Sequence, residues 1–180
     1  MNIYKIGSDY DNYRFLLPAD NTGLTSTDGG SLIKDWKICD YFLFKDPRKK
    51  TDKRKTDFTA SCYNSSVLMI ENRHKDILMN LSRNSIEYLE INTPELNQSF
   101  YIANIVKSVN VIEHEAISHE DFMNSFRNGT MKFRLENIGD NEIFRDKKFS
   151  SFYYCTQKFI DAMNEANITG LKFTNAGIAF

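Results

Sequence analysis

The stretch Ser151–Phe173, SFYYCTQKFIDAMNEANITGLKF, limits the possible folds more than any other part of the chain, because it spells strand, short helix, turn and strand in immediate succession. Phe152–Tyr154 is an aromatic run suited to a pleated surface. Thr156 stands where its hydroxyl can cap the orphan N–H groups of the following helix, and the spacing of Phe159, Ile160 and Met163 puts them on one inward face. Asn167 stops the helix. Thr169-Gly170 then turns the chain into Leu171-Lys172-Phe173, whose alternation predicts Leu171 and Phe173 on one buried face.

Upstream, Ile3, Tyr4 and Ile6 followed by Tyr13–Leu17 read as an opening hairpin broken at Gly7-Ser8-Asp9 and ended by Pro18. Asp20–Ser31 is rich in Asn, Thr, Gly, Ser and Asp, a surface loop. Trp36–Phe44, WKICDYFLF, is predicted as a strand, and the charged KDPRKKTDKRKTD after it as a solvated loop that is dispensable for folding. Phe58–Tyr63 is a further strand. Val67–Ile70 is either a strand or the start of a helix, and Ile70, His74, Ile77, Leu78 and Leu81 recur at the spacing of an amphipathic helix ending near Arg83-Asn84. Ile86–Ile91 alternates as a strand. Phe100–Val106 with Val109–Glu113, and Met131–Leu135 with Glu142–Arg145, look like two strand pairs. The expected fold is α+β: one domain over residues 1–180, with a mixed, largely antiparallel sheet and two or three packed helices.

A hydrophobic content of 41% is ordinary for a globular protein of 180 residues. The net charge of −1 supplies no long-range field toward nucleic acid or an anionic membrane, so neither is expected as a partner. The opening MNIYKIGSDYDNYRF mixes charges with apolar residues and offers neither a signal-peptide core nor a membrane span, which predicts a cytoplasmic protein. Cys39, Cys62 and Cys155 are odd in number and widely spaced, against a disulfide framework or a zinc site; reduced, half-buried thiols are expected.

Chemistry is sparse. The strongest metal candidate is Glu113-His114-Glu115 with His119, Glu120 and Asp121, but His114 and His119 are five residues apart and would not share a helical face, so solvated loop charges are the simpler reading. His74 reads as a hydrogen-bonded structural histidine. The basic run Lys45, Arg48, Lys49, Lys50, Lys53, Arg54 and Lys55 has no interleaved aromatics for base stacking and is interrupted by Asp46 and Asp52. Gly29-Gly30 is followed by no Lys-Ser or Lys-Thr, and no nucleophile elbow occurs. No enzyme activity and no cofactor are expected. The alternatives are a metal-dependent hydrolytic enzyme using the His114, Glu115 and His119 region, or a nucleic-acid-binding accessory protein using the loop 45–55.

Several short motifs also occur in a telling order. They are Tyr4, Tyr10-Asp11 and Tyr13; Trp36 after a DG-containing loop; Asp57-Phe58; Ile77-Leu78 and IEYLEI; Tyr101 and Asn104 in a YxxN pattern before VNVIEHEAIS; Ile143-Phe144-Arg145; and Thr169-Gly170-Leu171-x-Phe173. In that order the chain resembles the bacterial immunity-protein family eleven of polymorphic-toxin systems, with Glu113 where the family has Asp and Glu71 where a Ser usually opens the first long helix. The resemblance implies a non-enzymatic antitoxin that binds and neutralises a cognate toxin, protecting the producing cell and its kin. A toxin complex needs about 800 Å² per partner. Asp28 with its polar loop, together with Glu113, Glu115, Glu120 and Asp121, is the expected partner-binding group, being polar, exposed and unexplained by packing.

Overall fold

The computed structural model of the protein describes residues 1–19, 24–48, 50–82, 86–113 and 118–180. Its elements in chain order are β1 (Asn2–Ser8), β2 (Leu16–Pro18), β3 (Tyr41–Leu43), β4 (Ala60–Tyr63), β5 (Val67–Glu71), α1 (Lys75–Ser82, preceded by a 3₁₀ turn at Asn72–His74), β6 (Ile86–Ile91), β7 (Phe100–Ile105), β8 (Ser108–Val109), α2 (His119–Asn128), β9 (Met131–Phe133), the single turn α3 (Leu135–Ile138), β10 (Ile143–Asp146), β11 (Tyr154–Thr156), α4 (Gln157–Glu165) and β12 (Leu171–Ala179). The fold is α+β. Among the described residues its strands fall into three sheets instead of the single sheet expected: β8-β10-β11-β1-β12-β9, β4-β5-β7-β6, and the pair β2-β3. The two largest sheets are antiparallel except where β8 joins β10 and β9 joins β12.

The apolar residues explain this layering. Ile3 and Ile6 of β1 are both fully buried, but in different clusters. Ile6 packs with Ile70, Ala103, Cys155 and Phe159 between the two large sheets, where α1 and α4 also lie; Ile3 packs with Phe122, Phe133 and Ala176 on the opposite face, under α2. The outer face of the four-stranded sheet is a third cluster, with Tyr41, Phe58, Met69 and Phe100, roofed by Leu24, Leu32 and Trp36. Val67–Ile70 is therefore a strand: a short apolar run with both faces covered, Val67 and Met69 facing one cluster and Leu68 and Ile70 the other.

The same burial overturns the local pairings predicted above. β1 is an interior strand between β11 and β12, so it forms no hairpin with β2, which pairs with β3. β8 pairs with β10, not β7, and β9 pairs with β12, not β10. Of Trp36–Phe44 only Tyr41–Leu43 is strand, and the Trp36 indole N–H donates to the Glu90 carbonyl (2.8 Å). Neighbours in sequence gave way to distant partners that bury both faces of a strand.

The closing segment behaves largely as its sequence requires. Phe159, Ile160 and Met163 are buried on α4, and Asn167 leaves the helix with φ 55°. Thr156 does sit at the N-cap, but its hydroxyl bonds Glu142 instead of the helix N–H groups. Gly170, at φ 96°, lies where an added Cβ would be 2.2 Å from the Ala60 carbonyl oxygen, while the Thr169 carbonyl accepts from the Ala60 N–H (2.9 Å). The turn thus seams β12 to β4, and one sheet to the other. Leu171 and Phe173 pack against the inter-sheet core but remain partly exposed, because β12 begins at the sheet margin; its fully covered side chains are Ala176 and Ala179.

Candidate functional site

The acidic residues singled out by sequence divide into two places. Glu113 is half-buried, its N–H donating to the Lys132 carbonyl (3.2 Å), and it lines a cleft of about 280 Å³ with Ile112, Phe122, Ser125 and Met131. Glu120 and Asp121 occupy the first turn of α2, the helix whose Phe122 and Ser125 line that cleft. Their location has a local cause: negative charge favours the N-terminal end of a helix dipole, and Ser118 caps it by accepting from the Asp121 N–H (3.1 Å) while donating to the Asp121 carboxylate (2.8 Å). Asp28 is exposed on a different loop, where its carboxylate accepts from the Gly30 N–H (2.9 Å). His114 and Glu115 lie outside the described residues, and His119 is exposed at the start of α2. Among the described residues no group of three or more His, Cys, Asp or Glu could hold a metal ion.

Beneath Asp28 the fold assembles a buried polar centre. Arg145 of β10 is 0% exposed; its Nε donates to the Ile105 carbonyl (2.8 Å) and its Nη1 to the Thr27 carbonyl (2.9 Å), with further bonds to the Thr27 hydroxyl and the Ser150 carbonyl. The guanidinium stacks on Tyr153, 3.9 Å from the ring centroid. Burial lowers its pKa, opposed by Tyr153, Cys62 and Asp28. Near it, Asn104, also 0% exposed, donates to the Gly30 carbonyl (2.9 Å) and to Glu87 (3.2 Å), and its Oδ1 has no hydrogen-bond partner among the described residues. Burial works against the charge on Glu87, but bonds from Ser31, the Leu32 N–H (2.8 Å), Asn104 and Ile33 outweigh it and hold the carboxyl below its ordinary range. Sequence reasoning did not give Thr27, Glu87 or Arg145 a role. The available signal was the pair Arg145-Asp146, two charges closing the short strand Ile143–Asp146; that Arg145 lies beside Asn104 of the YxxN pattern, through its bond to the Ile105 carbonyl, is visible only in the fold.

Compared with known families, residues 6–177 match the Immunity protein family (Imm11). The chain belongs to the Imm11 immunity protein family. No curated protein matches it.

Elsewhere in this Imm11 member the structure revises three readings. The basic segment is only partly solvated. Asp46 and Arg48, and again Asp52 and Arg54, form a repeated fork in which the carboxylate accepts from the arginine N–H, Nε and Nη2 two residues on. The second fork is sunk into the surface, where Arg54 also donates to the Tyr10 carbonyl (3.2 Å), and it holds the Asp52 carboxyl well below the usual carboxylate range. Arg54 is therefore a fastener, against the expectation of a wholly dispensable loop. His74 is half-buried, but its Nε2 has no hydrogen-bond partner among the described residues; burial and the neighbouring Arg73 lower its pKa, with Glu71 opposing. The three cysteines are free and buried, not half-buried, and burial pushes the Cys62 thiol up to about 12, so its nucleophilic thiolate is suppressed. Among the described residues no helix is long and apolar enough to cross a membrane.

Proposed function

We propose that this Imm11 member is a cytoplasmic immunity protein of a polymorphic-toxin system, which neutralises a cognate toxin by stoichiometric protein–protein binding and without turnover. The observation that carries the proposal is the family match over residues 6–177, which leaves almost nothing of the 180-residue chain outside an immunity-protein domain. Residues 1–180 are accordingly read as one such domain. The partner surface is proposed to include Asp28, Glu113, Glu120 and Asp121, with Glu115 outside the described residues. Carboxylates at a contact rim set orientation and association rate more than affinity, so apolar anchors must accompany them.

The test is coexpression with the product of the neighbouring gene, followed by titration of the two purified proteins. Protection that saturates near one equivalent is the expected result. Full protection at strongly substoichiometric amounts means turnover, and absence of both complex and protection removes the immunity reading for that pair.

A further inference from the structure

Leu24–Asp40 runs over the outer face of the four-stranded sheet with neither helix nor strand over Leu24–Cys39, yet polar groups hold it at successive points. Thr27 is buried, and its N–H donates to Ser66 Oγ (2.9 Å) and its hydroxyl to the Ser66 carbonyl (2.5 Å), while Arg145 grips its carbonyl and hydroxyl from below. Asn104 takes the Gly30 carbonyl, Glu87 takes Ser31 and the Leu32 N–H, and the Trp36 indole reaches the Glu90 carbonyl. At Gly29, φ 89°, an added Cβ would lie 2.8 Å from Ser108 Oγ and 3.2 Å from Arg145 Cδ, so the backbone itself closes over the guanidinium.

Covering an apolar face requires only apolar side chains, and Leu24, Leu32 and Trp36 supply them. Burying a guanidinium whose hydrogen bonds go to carbonyl and hydroxyl oxygens and not to a carboxylate adds desolvation cost instead. What the polar fasteners achieve is a single conformation. On the segment so held, Ile33 and Ile38 are 55% and 62% exposed, flanked by Lys34 and Lys37. Aliphatic side chains on a pre-ordered loop bind without the entropy loss of ordering that loop on contact.

We propose that Leu24–Asp40 is a pre-organised toxin-contacting segment, with Ile33 and Ile38 as its apolar anchors and the Thr27–Arg145 latch as its positioning device. The proposal rests on the toxin-binding reading above, and its occupant is the cognate toxin. Two measurements separate it from that reading. Hydrogen exchange on the free protein tests the latch alone: Thr27→Val should speed exchange across 24–40 at least about tenfold while the strands keep their protection, and Thr27→Ser should restore the parent pattern. Toxin titration then tests the contact: Ile33→Ser with Ile38→Ser should weaken the complex at least about tenfold at unchanged melting temperature and unchanged exchange, and Thr27→Val should slow association. Parent-like exchange in Thr27→Val overturns the latch. Parent-like affinity of the double isoleucine variant overturns the contact role, and because both side chains are exposed this variant remains informative even if Thr27→Val does not fold. A parent protein that forms no complex overturns the toxin-binding reading and the contact role together, while the exchange result still decides the latch.

Discussion

Replacing Gly170 with alanine tests the seam that joins the two large sheets. At φ 96° the backbone is left-handed, which costs a residue with a Cβ roughly 1–2 kcal/mol. The new Cβ would lie 2.2 Å from the Ala60 oxygen and 2.7 Å from Phe58 Cβ, and neither obstacle is a flexible side-chain end. Retreat would stretch the bonds from the Thr59 and Ala60 N–H groups to the Thr169 carbonyl (3.2 and 2.9 Å). Overpacking of this kind costs about 1–3 kcal/mol, while the lower entropy of the unfolded alanine chain returns about 0.4–1 kcal/mol. The net loss is about 1–4.6 kcal/mol, which for a chain of this length lowers the melting temperature by about 2–18 °C. Gly7→Ala is the control: it lies at the same end of the β1–β12 ladder, its added Cβ meets nothing closer than 3.9 Å, and alanine in a strand should be neutral or stabilising by up to about 1 kcal/mol. Scanning calorimetry of the two variants decides the matter. Gly170→Ala melting within about 2 °C of the parent, or both variants falling equally, would refute the seam.

Phe159→Ala should cost about 3–5 kcal/mol in urea unfolding because the side chain is fully buried, and Phe173→Ala distinctly less, since Phe173 keeps part of its surface in water; equal losses would contradict the placement of β12 at the sheet margin. Glu87 binds its proton less readily folded than unfolded, so the stability it supplies is complete above its ordinary value of 4.5 and is lost as the pH falls below it. Melting temperature should therefore fall between about pH 5 and 3, and Glu87→Gln should flatten that fall; identical slopes in the two proteins would show that the carboxylate does not fasten the loop.

Local sequence determined the elements whose partners lie within a few residues. The period of α4, the stop at Asn167, the turn at Gly170 and the alternation of β6 all follow from side-chain spacing and backbone preference, and they recur in the structure. The family was legible as well, because its signature lies in the order of short motifs, which needs no coordinates to read. The proposed contact surface was legible only in part: Asp28, Glu113, Glu120 and Asp121 stand out as charges, but nothing near Thr27 in the chain marks it as a peg for an arginine 118 residues away. Strand partners likewise were decided by tertiary structure, since β1 could have paired with β2 at little loop-closure cost, yet between β11 and β12 it buries Ile3 and Ile6 on opposite faces. Apolar area removed from water outweighs the small entropy advantage of a short loop, and that area exists only when all the layers are present together.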